Sequence, residues 1–118
     1  MKVAVMMGSP NDSEKMAAAA RDDGYAAFIC GAGMAAHLAG AVAAQTTLPV
    51  VGVPLSGGGI GGVDALYSTV QMPKGIPVAT VAIDGSMNAA LLVVQMLAIT
   101  DDGLRQKLAD HRDELASR

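Results

Sequence analysis

Short apolar runs, each followed by a glycine-containing turn, recur along this chain and constrain its fold more than any other feature. The runs do not alternate between apolar and polar residues, and they cover Lys2–Met7, Tyr25–Cys30, Leu48–Pro54 and Pro77–Ile83. Continuous apolar runs are typical of strands buried on both faces, which occur in parallel sheets covered by helices. The sequence therefore predicts parallel strands rather than hairpins.

The segments between these runs have the composition of helices. The predicted helices cover Ser13–Asp22, Met34–Gln45, Val63–Val70, Met87–Ile99 and Gly103–Ala116. Strands that alternate with helices indicate a doubly wound α/β fold. We expect an α/β protein with a flavodoxin-like three-layer sandwich and a parallel sheet. The length of 118 residues fits one domain over residues 1–118.

The helix predicted over Met87–Ile99 is apolar on nearly every face, whereas a surface helix has a polar face. Hydrophobic residues make up 52% of the chain and charged residues only 16%. A domain this small cannot bury so much apolar surface alone. A tight intramolecular core is one interpretation, but we favour burial between subunits of a homo-oligomer.

Charge and composition also exclude several kinds of partner. The net charge is −3, tryptophan is absent, and only one Phe and two Tyr are present, so a nucleic-acid partner is not expected. No membrane partner is expected either, because Gln95 interrupts the longest apolar stretch. Cys30 is the only cysteine and is predicted to be a buried thiol, which leaves no disulfide or zinc framework. These features favour a cytoplasmic protein.

Four loops that follow the predicted strands contain glycine: Gly8–Asp12, Gly31–Gly33, Ser56–Gly62 and Asp84–Ser86. In an open parallel sheet, ligands bind beyond the carboxyl ends of the strands. Glycine allows the backbone to approach a ligand closely, and the following helix amides favour an anion. Any one loop could be a simple turn, but four together favour a phosphate and sugar site. None matches a Walker loop or the full dinucleotide fingerprint.

Two polar residues near these loops have more than one interpretation, and a third polar residue lies far from them in the sequence. Asp12 could cap the first helix or bind ribose hydroxyls, and capping is the safer interpretation from spacing alone. His37 is predicted about one turn into the second helix, where it could be structural or face the anion site. His111 lies among charged residues in the last helix, so it is predicted to be a solvated surface residue.

Longer motifs around these positions resemble one known family. Gly8–Asp12 resembles a Gly-Ser-x-Ser-Asp loop, and Gly31–Gly40 resembles Gly-Ala-Gly-Gly-Ala-Ala-His-Leu-Pro-Gly. A third signature spans Val70–Pro73 and Gly75–Ile83, and Asn88–Leu92 follows at the expected distance. In order and over nearly the whole chain, these motifs resemble the N5-carboxyaminoimidazole ribonucleotide mutases of purine biosynthesis, in their bacterial class.

The resemblance implies an isomerase that moves a carboxylate from an exocyclic nitrogen to a ring carbon of an aminoimidazole ribonucleotide. It implies no metal or organic cofactor, and a homo-octamer with sites at subunit boundaries. His37 is carried over as an accessory catalytic residue. The substrate-binding positions carried over are Gly8, Ser9 and Asp12 at the ribose-phosphate end, and Gly33, Met34, His37 and Leu38 on the carboxylate side.

One family element is absent from these residues. The family carries a Ser-Ala-His-Arg motif whose histidine is the general acid–base and whose arginine contacts the phosphate. Here Ala20 runs straight into Arg21, and roughly thirty residues, about one strand–helix unit, are missing between them. Either the natural protein contains a further segment at this junction, which we favour, or the protein is a deletion variant. Smaller departures include Met34 in place of glycine.

Four other functions remain open. The first is a carboxylase that uses carbon dioxide directly. The second is a nucleotide-binding or assembly module that binds without turnover, because it lacks the acid–base histidine. The third is the carboxylase of nickel-pincer cofactor synthesis, which the Gly31–Leu38 motif disfavours. The fourth is a flavin binder, which the scarcity of aromatic residues disfavours.

Overall fold

The computed structural model describes residues 2–7 and 24–118. Within these ranges the strands are β1 (Lys2–Met7), β2 (Tyr25–Gly33), β3 (Val50–Leu55) and β4 (Ala79–Thr80). The helices are α1 (Leu38–Ala43), α2 (Val63–Val70), α3 (Ser86–Ala98) and α4 (Asp102–Ala116). The helix predicted over Ser13–Asp22 and the junction between Ala20 and Arg21 lie outside the described residues.

The four strands form one parallel sheet in the order β1-β2-β3-β4. Neighbouring strands align Met6 with Cys30, Cys30 with Gly52, and Gly52 with Thr80. Parallel strands need crossover connections, and within the described residues α1 lies in the connection from β2 to β3 and α2 in the connection from β3 to β4. The predicted α/β sandwich with a parallel sheet is confirmed.

Each face of the sheet has its own hydrophobic core, which is why the strands are apolar on both sides. One core joins Phe28 and Val50 to Leu38 and Val42 of α1, and all four side chains are buried. The other joins residues of β2 and β3 to Ala89 and Val93 of α3. Since successive strand residues point to opposite faces, Phe28 and Ile29 enter different cores.

The single cysteine is part of the first core. Cys30 is buried, and burial raises the pKa of its thiol to about 12. At neutral pH the thiol therefore stays protonated, and it behaves as a small apolar side chain. The prediction of a buried thiol is confirmed.

Several predicted boundaries were wrong, and each error has a local cause. β2 continues through Gly31–Gly33, predicted to be a turn, because β3 extends far enough to pair with it up to Leu55. α1 begins at Leu38 rather than Met34, since the φ angle of +53° at Met34 is not helical. β4 contains only Ala79 and Thr80, and a turn closes where the Gly85 amide donates to the Ala82 carbonyl at 2.9 Å.

The last two helices lie close to their predicted bounds. Asp101 caps α4, because its carboxylate accepts a hydrogen bond from the Leu104 amide at 3.0 Å. α4 packs along α3 and covers part of its apolar surface, while Met87 and Ile99 remain largely exposed. Among the described residues, no helix is both long enough and apolar enough to cross a membrane.

Candidate functional site

The carboxyl ends of the first three strands surround a hollow of about 280 Å³. Met7 ends β1, Gly33 ends β2 and Leu55 ends β3, and all three residues line it. The remaining lining residues come from the segment that leads into α1: Ala35, Ala36 and His37, with Gly31 and Ala32 of β2. This is the edge of a parallel sheet at which ligands bind.

At Gly33 the backbone of β2 lies close to the backbone of β3 beside this hollow. A Cβ placed on Gly33 would lie 3.3 Å from the carbonyl oxygen of Leu55, which is tighter than side chains normally allow. Leu38 lies differently, since its side chain is buried in the first core and is only 1% exposed. Any contribution of Leu38 to a ligand would therefore come from its main chain.

His37 stands at the rim of the hollow and is exposed to solvent. The sequence predicts it about one turn into a helix, but it directly precedes α1, and its carbonyl accepts the Ala41 amide at 2.9 Å. Its side chain makes no capping hydrogen bond. His37 also lines a second, more open hollow of about 640 Å³, together with Tyr67 and Gln71 of the α2 region. The imidazole is therefore placed where it can meet a ligand from either side.

Met34 lies beside this rim in the left-handed backbone region. Its side chain is 62% exposed, and it reaches the glycine-rich loop after β3. A Cβ placed on Gly58 would lie 3.3 Å from Met34 Cγ and 3.1 Å from Asp64 Oδ2. The second and third glycine loops of the sequence thus come together at this edge of the sheet, as predicted.

The third and fourth loops are joined by a contact that the sequence did not reveal. The Ser56 amide donates to Asp84 Oδ1 at 2.9 Å, and the Ser56 hydroxyl donates to Asp84 Oδ2. The two residues are 28 positions apart, so no local pattern identifies Ser56 as the partner. The available signal was only an aspartate before Gly85 at the end of an apolar run, which indicates a turn.

The hydroxyl and amide of Ser56, in that order of effect, hold the pKa of the Asp84 carboxyl below its ordinary value of 3.8. Hydrogen bonds to the charged form favour that form. The contact therefore contributes to stability at neutral pH, and the contribution is lost as the pH falls through the lowered pKa.

Other predicted residues have different outcomes. Gly8, Ser9 and Asp12 lie outside the described residues. The prediction that His111 is a solvated surface residue is wrong, because it is half-buried in a groove of about 330 Å³ between α3 and α4. Leu108 and Leu115 on α4 and Leu91 on α3 also line this groove, so tertiary packing covers the imidazole.

The amino-acid sequence matches one known protein family along its whole length. Residues 1–118 match the family described as AIR carboxylase. The chain belongs to the AIR carboxylase family. The N5-carboxyaminoimidazole ribonucleotide mutase of Escherichia coli (strain K12) is 51% identical over 106 residues, which cover 88% of this chain and 63% of that protein.

Two further members of the AIR carboxylase family match comparably well. The N5-carboxyaminoimidazole ribonucleotide mutase of Pyrococcus abyssi is 45% identical over 115 residues, 98% of this chain and 66% of that protein. Phosphoribosylaminoimidazole carboxylase of Saccharomyces cerevisiae is 51% identical over 100 residues, 85% of this chain and 18% of that protein. The chain thus spans less than two thirds of the length of both mutases.

The left-handed backbone at Met34 explains the glycine that the family motif has there. We expect Met34→Gly to raise the free energy of unfolding by about 0.5–1 kcal/mol, because glycine adopts positive φ without strain and the exposed side chain buries little. Chemical denaturation measures this. Met87→Gly is the matched control, since Met87 is 72% exposed on helix α3 and glycine there should destabilise. Equal losses in both variants would contradict the prediction.

Proposed function

We propose that this chain acts in purine biosynthesis by converting N5-carboxyaminoimidazole ribonucleotide to 4-carboxy-5-aminoimidazole ribonucleotide. The observation that carries the proposal is the family match over residues 1–118, with relatives named as mutases at 45% and 51% identity. The hollow at the strand ends supports it, since two residues carried over from the family motif, Gly33 and His37, line it, and Met34 stands between the lining residues Gly33 and Ala35.

The reaction breaks the bond between the carboxylate and the exocyclic nitrogen and forms one to a ring carbon. Carbon dioxide released in the first step must be held where bulk water is excluded. A hollow lined by Gly31, Ala32 and Leu55 is apolar enough to do so when substrate closes it. One proton must also move from the ring carbon to the nitrogen, which requires a general acid–base group. His37 is the described imidazole at this edge, and we assign it an accessory role.

The two ends of the substrate would occupy different loops. We place the ribose-phosphate end at Gly8, Ser9 and Asp12, which stays a prediction because these residues lie outside the described ranges. The carboxylate side would meet Gly33, Met34 and His37, with Leu38 contributing main chain. Glycine and main-chain amides suit an anion without net positive charge, in agreement with the acidic composition.

Binding without turnover is the second candidate function. It is favoured by one observation, the absence of a Ser-Ala-His-Arg motif from all 118 residues. A chain that lacks both that histidine and that arginine would retain the hollow and His37 but lose the main proton carrier. Direct carboxylation with carbon dioxide is a further alternative, and labelled bicarbonate distinguishes it because only that reaction would incorporate the label stoichiometrically.

An exposed apolar stripe supports a homo-oligomer. Ile60, Val63, Tyr67 and Val70 lie three or four residues apart, so they share one face along α2 and its approach. All four are large apolar side chains that remain exposed. A second copy packed on this stripe would bury it. The octamer and the cytoplasmic location stay predictions, and light scattering of the purified protein measures the first.

The two histidines allow a sharp test of the proposed site. We expect His37→Ala to weaken binding of 5-aminoimidazole ribonucleotide about three- to tenfold in calorimetric titration, because one hydrogen-bonding group at the rim is lost. His111→Ala is the matched control and should bind as the unmodified chain does, since it lies in the groove between α3 and α4. Failure of the unmodified chain to bind, or equal losses in both variants, would reject this site.

A further inference from the structure

The glycine-rich loop after β3, residues 56–62, has both ends fixed to one short segment, Ile83–Asp84. At its start, Ser56 donates two hydrogen bonds to the Asp84 carboxylate. At its end, a Cβ placed on Gly62 would lie 2.7 Å from Ile83 Cγ2 and 3.3 Å from Ser56 Cα. The two ends of the loop therefore adjoin, and Ile83–Asp84 closes its base.

The backbone conformation of Asp84 indicates a functional role for this residue. Its φ angle is +60°, a conformation that few residues other than glycine adopt, although aspartate tolerates it better than most. The Asp84 amide also donates to the Pro54 carbonyl at 2.8 Å, so the strained residue is anchored to β3. Residues held in strained conformations cluster at functional sites.

The loop also adjoins the candidate site. Ser56 directly follows Leu55, which lines the hollow at the strand ends. Gly58, two residues later, lies against the side chain of Met34, which stands between the lining residues Gly33 and Ala35. Movement of the loop base would therefore move both a lining residue and the residue that borders it.

We propose that Asp84 is a positioning residue for the ribonucleotide site: by closing the base of loop 56–62 on Ser56, it holds Leu55 and Met34 where the substrate's carboxylate side binds. This inference rests on the proposed function for its ligand, but the closure of the loop base does not. Asp84 acts through the loop and makes no contact with the substrate.

The test compares Asp84→Ala, Asp84→Asn, Ser56→Ala and the Ser56→Ala/Asp84→Ala double variant. Asp113→Ala is the matched control, since Asp113 is an exposed aspartate on α4. The readouts are calorimetric affinity for 5-aminoimidazole ribonucleotide and hydrogen–deuterium exchange of peptides covering residues 56–62. Thermal midpoints identify any variant that fails to fold.

We expect Asp84→Ala to weaken affinity about tenfold, because two hydrogen bonds to a charged group are lost, and to speed exchange of the loop. Asp84→Asn should recover most of this, since its amide oxygen still accepts from the Ser56 amide and its NH₂ can donate to the Ser56 hydroxyl. Ser56→Ala as a single variant should weaken affinity. In the double variant it should add little to the effect of Asp84→Ala, as expected for residues that act as a pair.

Separate outcomes distinguish the inference from the function on which it rests. Unchanged affinity in Asp84→Ala, with normal binding by the unmodified chain, overturns the positioning role. Weaker affinity with unchanged loop exchange also overturns it, since Asp84 would then act on the ligand directly. If the unmodified chain does not bind, the proposed function fails, and loop exchange alone decides whether Asp84 closes the loop base. Should Asp84→Ala not fold, Ser56→Ala takes its place, because it removes the hydroxyl that donates to Asp84 Oδ2, and unchanged affinity in that variant overturns the positioning role.

Discussion

A polypeptide of these 118 residues alone is expected to bind 5-aminoimidazole ribonucleotide but to convert N5-carboxyaminoimidazole ribonucleotide about 10²–10⁴-fold more slowly than the Escherichia coli relative, the range that general acid–base catalysis supplies. The reason is chemical rather than structural. The sheet edge, the hollow and His37 are present, but the residues that resemble the family's Ser-Ala-His-Arg motif are not. Single-turnover formation of product, followed at saturating enzyme, measures the rate.

The intact mass of the purified protein controls this experiment. A mass near 11.9 kDa means that the protein consists of these 118 residues alone, and slow or absent turnover is then expected. A mass larger by roughly thirty residues, about one strand–helix unit, indicates a segment between Ala20 and Arg21, and turnover at a family rate is then expected. Fast turnover by a chain of 11.9 kDa would contradict the prediction and assign the proton transfer to another group, with His37 as the first to test.

Gly52→Ala is expected to lower the free energy of unfolding by about 2–3 kcal/mol and the thermal midpoint by about 8–12 °C, because overpacking a close-packed core forces its neighbours apart. Gly52 lies in the middle of β3 and is buried. A Cβ placed there would overlap Thr69 Cγ2 and lie 3.1 Å from Val78 Cγ1. Thr69 is itself buried on α2, and its branched side chain has few other rotamers. Calorimetric melting measures the change.

Two controls separate this clash from a general cost of adding a methyl group. Gly57→Ala should be nearly neutral, since a Cβ on Gly57 would meet nothing within 4 Å and its φ angle is not positive. In a Thr69→Ser background the overlapping methyl is gone, so Gly52→Ala should cost less than about 1 kcal/mol there. Equal costs in the presence and absence of that methyl would show that α2 does not set the space at Gly52.

Much of the fold could be predicted because it depends on local patterns. The apolar runs placed β1 and most of β2 and β3, and α2 was predicted at its observed bounds, Val63–Val70. Because the runs are continuously apolar, they predicted a sheet covered on both faces. The two cores on opposite faces of the sheet, one containing Phe28 and the other Ile29, confirm this. The loops after the strands predicted a site at the carboxyl ends of the strands, where the structure has a hollow, and the assignment of that hollow as the site stays a prediction.

The errors occur where a residue's state depends on a distant partner. Glycines 31 and 33 indicate a turn by themselves, yet pairing with β3 extends the strand through them. His111 is surrounded by charged residues in the sequence, yet the packing of α4 on α3 half-buries it. A local pattern covers only a few neighbouring residues, so it predicts neither strand pairing nor helix packing.

The amino-acid sequence by itself determined the layer architecture, the family and the loops that carry the candidate site, because hydrophobic periodicity and motif spacing are properties of neighbouring residues. Only the tertiary structure decided that Met34 and Asp84 adopt left-handed conformations and that Ser56 closes a loop onto Asp84. For the contact between Ser56 and Asp84 the physical reason is the distance between the two residues in the sequence. A hydrogen bond between residues 28 positions apart forms only once the sheet has brought the ends of β3 and β4 together.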